Sequence, residues 1–295
     1  MKGIIIKALS GFYYVIADSK IYTCKARGSF RKSGVSPLVG DRVEFTPQPD
    51  FTGVVDQIIP RKNCLSRPPV ANIEKLFILS SFSDPSPNTL IIDKLTVIAR
   101  HNRIEPIIVF NKSDMGDFGE FKRIYENAGF KTFVISAVTG DGLEQLKQEI
   151  SGSICAFTGN SGVGKSSVLN ALLGQNLIPT GDVSEKLGRG RHTTRHTEIY
   201  PLESGGFVAD TPGFSSIEAG NDYSLKENLV NCFCDFYNFT DNCRFTSCSH
   251  TTEMGCGVLK AVSEGKIEPT RHQSYKTLFD ELKGLKEWEI KSKHR

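Results

Sequence analysis

From Gly3 to about Pro60 the chain sets short β-branched and aromatic runs (GIIIKA, FYYVIAD, KIYTCKA, DRVEFTP, TGVVDQII) between Gly, Asp and Pro breaks. This pattern predicts several short strands, and a small β-barrel of the OB type is the closed form expected for them. From Ile73 the rhythm changes. Strand-sized apolar runs now alternate with amphipathic stretches: KLFILSS then about 88–101, PIIVF then about 118–128, TFVIS then about 142–150, SICAFT then about 165–173. That alternation predicts an α/β domain with a mostly parallel, doubly wound sheet. After Gly213 it fades into a polar, Cys-rich stretch from Asn221 to Cys256. A run from about Pro269 to Lys293 follows, with helical spacing at Tyr275, Leu278, Phe279, Leu282, Leu285 and Trp288, read as core packing plus a solvated face. The expected units are a barrel over 1–67, an α/β domain over 68–220 and a mainly helical tail over 221–295.

Composition narrows the classes. With 295 residues, 39% hydrophobic and 23% charged, the chain can bury a sizeable core and is neither collagenous nor low in complexity. A net charge of +3 is too small to argue nucleic-acid binding from the total. Its distribution says more: residues 1–70 hold 11 basic and 5 acidic side chains, whereas 71–220 hold 14 and 17. The eight cysteines follow an N-terminus without an apolar signal core, so reduced thiols and a cytoplasmic location are expected. No apolar run approaches the length of a membrane span.

The chemistry lies at strand ends. Gly159-Asn160-Ser161-Gly162-Val163-Gly164-Lys165-Ser166, followed by Ser167, fits GxxxxGK[ST] between a strand and a helix. There, glycines let backbone N–H groups wrap phosphates, Lys165 reaches the β/γ-phosphates and Ser166 ligates Mg²⁺. Asn111-Lys112-Ser113-Asp114 follows PIIVF; a carboxylate at Asp114 accepts two hydrogen bonds from guanine and none of that pattern from adenine. Ser136-Ala137 ends TFVI and resembles the loop that backs guanine in GTPases, and Asp210-Thr211-Pro212-Gly213 fits a DxxG switch in which Asp210 holds Mg²⁺ through water and Gly213 senses the γ-phosphate. All four sit where α/β sheets bind ligands. Their order is permuted, since NKSD and SA precede the P-loop.

Three further features remain. Between the P-loop and DTPG, GRGRHTTRH offers Thr193 or Thr194 as a switch ligand to Mg²⁺. Phe214 stands where Ras-like enzymes place a water-orienting Gln, so slow intrinsic hydrolysis is expected unless His192, His196 or a partner supplies that group; His192 is the preferred catalytic residue. Cys243-x4-Cys248-x-His250-x5-Cys256 is sufficient for one closed, structural Cys₃His zinc site, with Cys232 and Cys234 as competing ligands. Lys25-Ala26-Arg27-Gly28-Ser29-Phe30-Arg31-Lys32 places basic residues around one aromatic in a barrel loop and suits RNA.

Taken together, ARGSFRKSGVSPLVGDRVEF, RPPVANIEKL, NKSD, SAVTGDGL, GNSGVGKSS, GRGRHTTRHTE, DTPGF and the Cys/His spacing resemble the ribosome small-subunit-dependent GTPase A (RsgA) family over about residues 1–290. The resemblance implies GTP hydrolysis to GDP, stimulated by the small ribosomal subunit late in its assembly, with rRNA contacts through the outer domains and a monomer in the bacterial cytoplasm. It also implies His192 as a catalytic residue and Cys243, Cys248, His250 and Cys256 as zinc ligands. Where the family's switch commonly reads HTTT, Arg195 follows Thr194 here. The alternative expectation is an RNA-binding module in which GTP gates affinity and turnover is incidental.

Overall fold

The computed structural model describes residues 1–28, 30, 34–66, 69–82, 87–175, 178, 197–210 and 223–284. Strands β1 (Lys2–Leu9), β2 (Phe12–Ala17), β3 (Lys20–Ala26), β4 (Arg42–Pro47) and β5 (Thr52–Ile58) run in the order β1-β2-β3-β5-β4, and β4 returns to pair with β1. The barrel is closed, with β3 and β5 parallel. Alternation builds it: Ile5, Val15, Cys24, Val43, Phe45 and Val55 all turn inward and form one buried cluster. The two tight reversals have positive φ at both central residues, Ser10 and Gly11, then Asp18 and Ser19, which matches the twist of the strands they join. A short hairpin, β6 (Cys64–Ser66) and β7 (Pro69–Ala71), leads out of the barrel.

Next come β8 (Lys75–Ser81), α1 (Thr89–His101), β9 (Glu105–Asn111), α2 (Gly119–Asn127), β10 (Thr132–Val134), α3 (Leu143–Ile150), β11 (Ile154–Gly159) and α4 (Lys165–Leu173). The strand hairpin β12 (Glu198–Pro201) and β13 (Phe207–Asp210) completes a sheet ordered β10-β9-β8-β11-β13-β12, parallel except for β12. Period-two alternation again assigns the faces. Leu76, Ile78, Ile108 and Phe110 pack towards α1 and α2, while Phe77, Leu79, Ile107 and Val109 pack towards α3 and α4. Each such burial contributes roughly 1.5–3 kcal/mol. β12 also pairs with β1, at Lys7 and Glu198, so barrel and α/β sheet form one continuous ladder.

The tail contains α5 (Tyr223–Cys232), a 3₁₀ turn (Cys234–Phe236), α6 (Tyr237–Thr240), α7 (Gly257–Ser263) and α8 (Pro269–Lys283). Its core joins Tyr275, Leu278 and Leu282 of α8 to Val97 and Ile98 on the outer side of α1. The expected helix therefore forms and packs as core; Leu285 and Trp288 lie outside the described residues. Arg271 of α8 is fully buried, bonded to Asp93 of α1 and to Asp235, with its guanidinium over the rings of Phe233 and Phe130. Among the described residues no helix is long and apolar enough to cross a membrane.

Candidate nucleotide site and metal centre

The strands β8, β9 and β11 end side by side, and the loops after β9 and β11 converge. Gly159 closes β11 at φ 147°, where a Cβ would stand 2.3 Å from the Leu79 carbonyl oxygen. Gly164 opens α4 at φ 89°, and a Cβ there would lie 2.4 Å from Asn111 Nδ2. Both positions exclude side chains, so the backbone of Asn160, Ser161, Gly162 and Val163 wraps tightly above the helix N-terminus. Ser166 and Ser167 continue into the first turn of α4. Lys165 is half-buried and donates to the carbonyls of Gly159 (2.7 Å) and Asn160 (2.8 Å). Burial lowers its pKa, since these carbonyls supply no negative charge; an anion would.

Asn111 ties the loops together. Its Nδ2 donates to the Val163 carbonyl at 3.0 Å, and its Oδ1 accepts from the Ala137 N–H at 3.1 Å. Asn111 is 2% exposed, so water competes little for either bond. Lys112 turns the chain at φ 68°, and Ser113 and Asp114 enter a single 3₁₀ turn. Asp114 is exposed; its Oδ1 accepts from the Ser136 hydroxyl at 2.6 Å, and that hydroxyl oxygen accepts in turn from the N–H groups of Val138 and Thr139. NKSD, SA and the P-loop are thus one hydrogen-bonded unit. Asp210 ends β13, beside β11. Of the remaining site residues, His192, Thr193, Thr194 and Gly213 lie outside the described residues, as do His196 and Phe214.

A second site is built by the segment 243–256. The ligand atoms of Cys243, Cys248, His250 and Cys256 lie within 4.8 Å of one another. Cys243 and Cys256 sulfurs are 3.9 Å apart, and each is 3.5 Å from His250 Nδ1. A tetrahedron with metal–sulfur bonds of about 2.3 Å has S···S edges of about 3.8 Å and S···N edges of about 3.6 Å, so the four groups fit one tetrahedral ion. The N–H groups of Gly257 and Leu259 donate to the sulfurs of Cys243 and Cys256, which favours thiolate. Burial lowers the His250 pKa, which favours the neutral ring that a metal ligand requires. Cys232 and Cys234 are not in this group: Cys232 is buried in the helical core and Cys234 donates to the Ala128 carbonyl.

Three relatives and neighbours cover almost the whole chain. A curated protein of Caldanaerobacter subterraneus subsp. tengcongensis, "Small ribosomal subunit biogenesis GTPase RsgA", is 45% identical over 286 residues, covering 96% of both chains. The fold resembles that of YjeQ from Thermotoga maritima (TM-score 0.80, 34% identity, 97% of this chain and 99% of that one). It also resembles YloQ, titled a circularly permuted GTPase (TM-score 0.81, 33% identity, 96% and 94%). The family model described as "RsgA GTPase" matches residues 58–220, and "RsgA N-terminal domain" matches 2–55. The chain belongs to the RsgA GTPase family. It is accordingly a GTP hydrolase with a permuted motif order, a barrel before the GTPase domain and a Cys₃His group in the helical tail.

Sequence reasoning did not reach the residues behind the metal loop. Glu253 accepts from the N–H groups of Ser249, Thr251 and Thr252 (2.8, 3.0 and 3.1 Å) and from the Ser249 hydroxyl. Burial opposes its ionisation, yet these bonds outweigh it and hold the carboxyl at about 2. His272 Nε2 donates to the carbonyl of His250, whose φ of 57° such support maintains, and Tyr275 donates to that of Ser249. The available signal was Glu253 itself, a lone carboxylate between two ligands. The basic barrel loop is also more engaged than expected. Arg27 pairs with Asp56 at 2.8 Å, and Phe30 packs against the barrel core; Ser29, Arg31 and Lys32 lie outside the described residues.

Proposed function

We propose that this chain hydrolyses GTP to GDP and phosphate while bound to the small ribosomal subunit, late in that subunit's assembly. The observation that carries the reading is the pair of hydrogen bonds by which Asn111 donates to the Val163 carbonyl and accepts from the Ala137 N–H, joining the proposed base-recognition and phosphate loops in one frame. The names of the relatives supply the subunit. Asp114, oriented by Ser136, accepts from guanine, and Ala137 backs the base. A phosphate chain entering the loop 159–164 takes Lys165 away from the two carbonyls it now holds and receives its charge. Ser166, Asp210 and either Thr193 or Thr194 are the residues that would hold Mg²⁺, which supplies neutralisation of phosphate charge. His192 positions the attacking water, and Gly213 reads the γ-phosphate.

The metal at Cys243, Cys248, His250 and Cys256 is taken as one structural zinc, because all four positions are protein ligands. The units divide at about 67 and 220, with the barrel and the metal-bearing tail meeting rRNA. The protein acts as a cytoplasmic monomer. The test is GTP turnover with and without purified small subunits. A rise of tenfold or more is expected; an unchanged rate despite tight subunit binding would leave GTP as a gate of RNA affinity and reject this reading.

A further inference from the structure

The hairpin β12–β13 is the one element bounded in sequence by both proposed phosphate-sensing segments: Thr193 and Thr194 precede it and Gly213 follows it. Its partner on the other side is the barrel. Lys7 of β1 stands opposite Glu198 of β12, and Glu198 stands opposite Asp210 of β13. These three residues form one row across the ladder, from the barrel to the position proposed to hold Mg²⁺. Lys7 Nζ lies 3.0 Å from Glu198 Oε2, with the two side chains 34% and 28% exposed, so water screens the pair only in part. Next to the row, Ile6, Ile199 and Ala209 are buried in a single cluster, against which Ile4, Ala8, Tyr14 and Ile16 also pack. β1 breaks its register with β2 between Ile5 and Lys7, at the place where it changes partner.

We propose that Lys7 and Glu198 are positioning residues for subunit-stimulated GTP hydrolysis. The inference rests on the function proposed above. The ion pair fixes the register of the barrel against the switch hairpin. RNA engaging the barrel then displaces β1, and with it the row that ends at Asp210. A rigid ladder transmits such a shift because its pairing is discrete: a strand is in register or it is not. Coupling between linked sites usually amounts to a factor of about 5–150.

The test is a charge-reversal cycle on the full-length protein, using Lys7→Glu, Glu198→Lys and the double variant. The quantity read is the ratio of stimulated to intrinsic kcat at saturating GTP and saturating small subunit, with KM for GTP measured alongside. Each single reversal sets like charges opposite each other and is expected to lower that ratio about fivefold or more, with KM for GTP changed less than about twofold. The double reversal is expected to restore it to within about twofold of wild type. Single variants with an undiminished ratio would overturn the proposal, as would a double variant no better than the singles. Lys7→Met, which removes charge without repulsion, keeps the test open if a reversal fails to fold; it is expected to show a smaller loss, and no loss counts against the pair. Failure of the parent reading looks different, because the wild-type protein would then show no stimulation.

Discussion

Arg271 Nη1 lies 2.6 Å from Asp93 Oδ1, and through that bond the last described helix is tied to the first helix of the GTPase sheet, 178 positions earlier. Asp235 closes the other side with bonds of 2.8 and 3.2 Å. Burial pulls the guanidinium pKa down, but two carboxylates in contact more than offset this and hold it above its ordinary value, so the group stays charged. Arg271→Met leaves Asp93 and Asp235 buried without their cation. A loss of about 3–5 kcal/mol in unfolding free energy is expected from urea titration. A loss below about 1 kcal/mol would mean that the carboxylates find water or protons at little cost.

Asp114 and Ser136 make a separable claim about the base. Asp114→Asn replaces an acceptor pair by an amide and is expected to weaken GTP about 100-fold while improving xanthosine triphosphate. Ser136→Ala removes the 2.6 Å bond that orients the carboxylate and is expected to cost about 5–20-fold in GTP affinity without altering base preference. Fluorescent-nucleotide titration checks both. Equal GTP affinity in the Asn variant would remove Asp114 from the base site.

Gly164 and Gly174 sit at the two ends of α4, both with positive φ (89° and 65°). They differ in surroundings, because a Cβ at Gly174 meets nothing within 4 Å. Gly174→Ala therefore carries the backbone cost alone, about 1–2 kcal/mol of stability, with nucleotide affinity unchanged. Gly164→Ala adds a clash with Asn111 and is expected to lower nucleotide affinity tenfold or more. Equal affinities in calorimetry would show that Asn111 can move aside freely.

For the metal, Cys243→Ser is expected to abolish the bound zinc measured by elemental analysis and to lower Tm by several degrees, while the wild type shows about one ion per chain. A folded variant retaining a full equivalent of zinc would disprove the ligand set.

Glu149 gives a pH dependence. Lys75 lies 2.5 Å from it and Lys131 3.0 Å. Burial would raise its pKa, but the hydrogen bonds from these two lysines prevail and lower it below 4.5. The folded value being depressed, the stabilisation is complete above the unfolded value and is lost as pH falls through the folded one. Glu149→Gln is expected to cost about 1–2 kcal/mol at pH 7. The gap from wild type should narrow below pH ~4.5, read by denaturant titration at several pH values. A constant gap from pH 7 down to pH 3 would assign the loss to packing instead.

Much of this architecture is legible in the order of residues, because period-two alternation and turn chemistry are local. β8, β9 and β11 and the loops that end β9 and β11 follow from runs such as KLFILSS and from tetrapeptides such as NKSD. β12 escapes that reading: EIYP is four residues long and has no room to display a period. α5 and α7 escape it as well, since their apolar positions face a small core shared with α1 rather than a repeated stripe. The Arg271–Asp93 bond and the Lys7–Glu198 row join residues 178 and 191 positions apart, and no local pattern encodes a partner at that distance.

The pairing of β1 with β12 has a consequence for solubility. A sheet margin offers unpaired N–H and C=O groups to any passing strand, and proteins blunt such margins by shortening or covering them. At one margin of the GTPase sheet β10 has three residues, and at the other the barrel lies against β12. The barrel thereby shields the nucleotide domain from joining strands with its neighbours, and a fragment lacking residues 1–67 would bare the β12 margin to self-association.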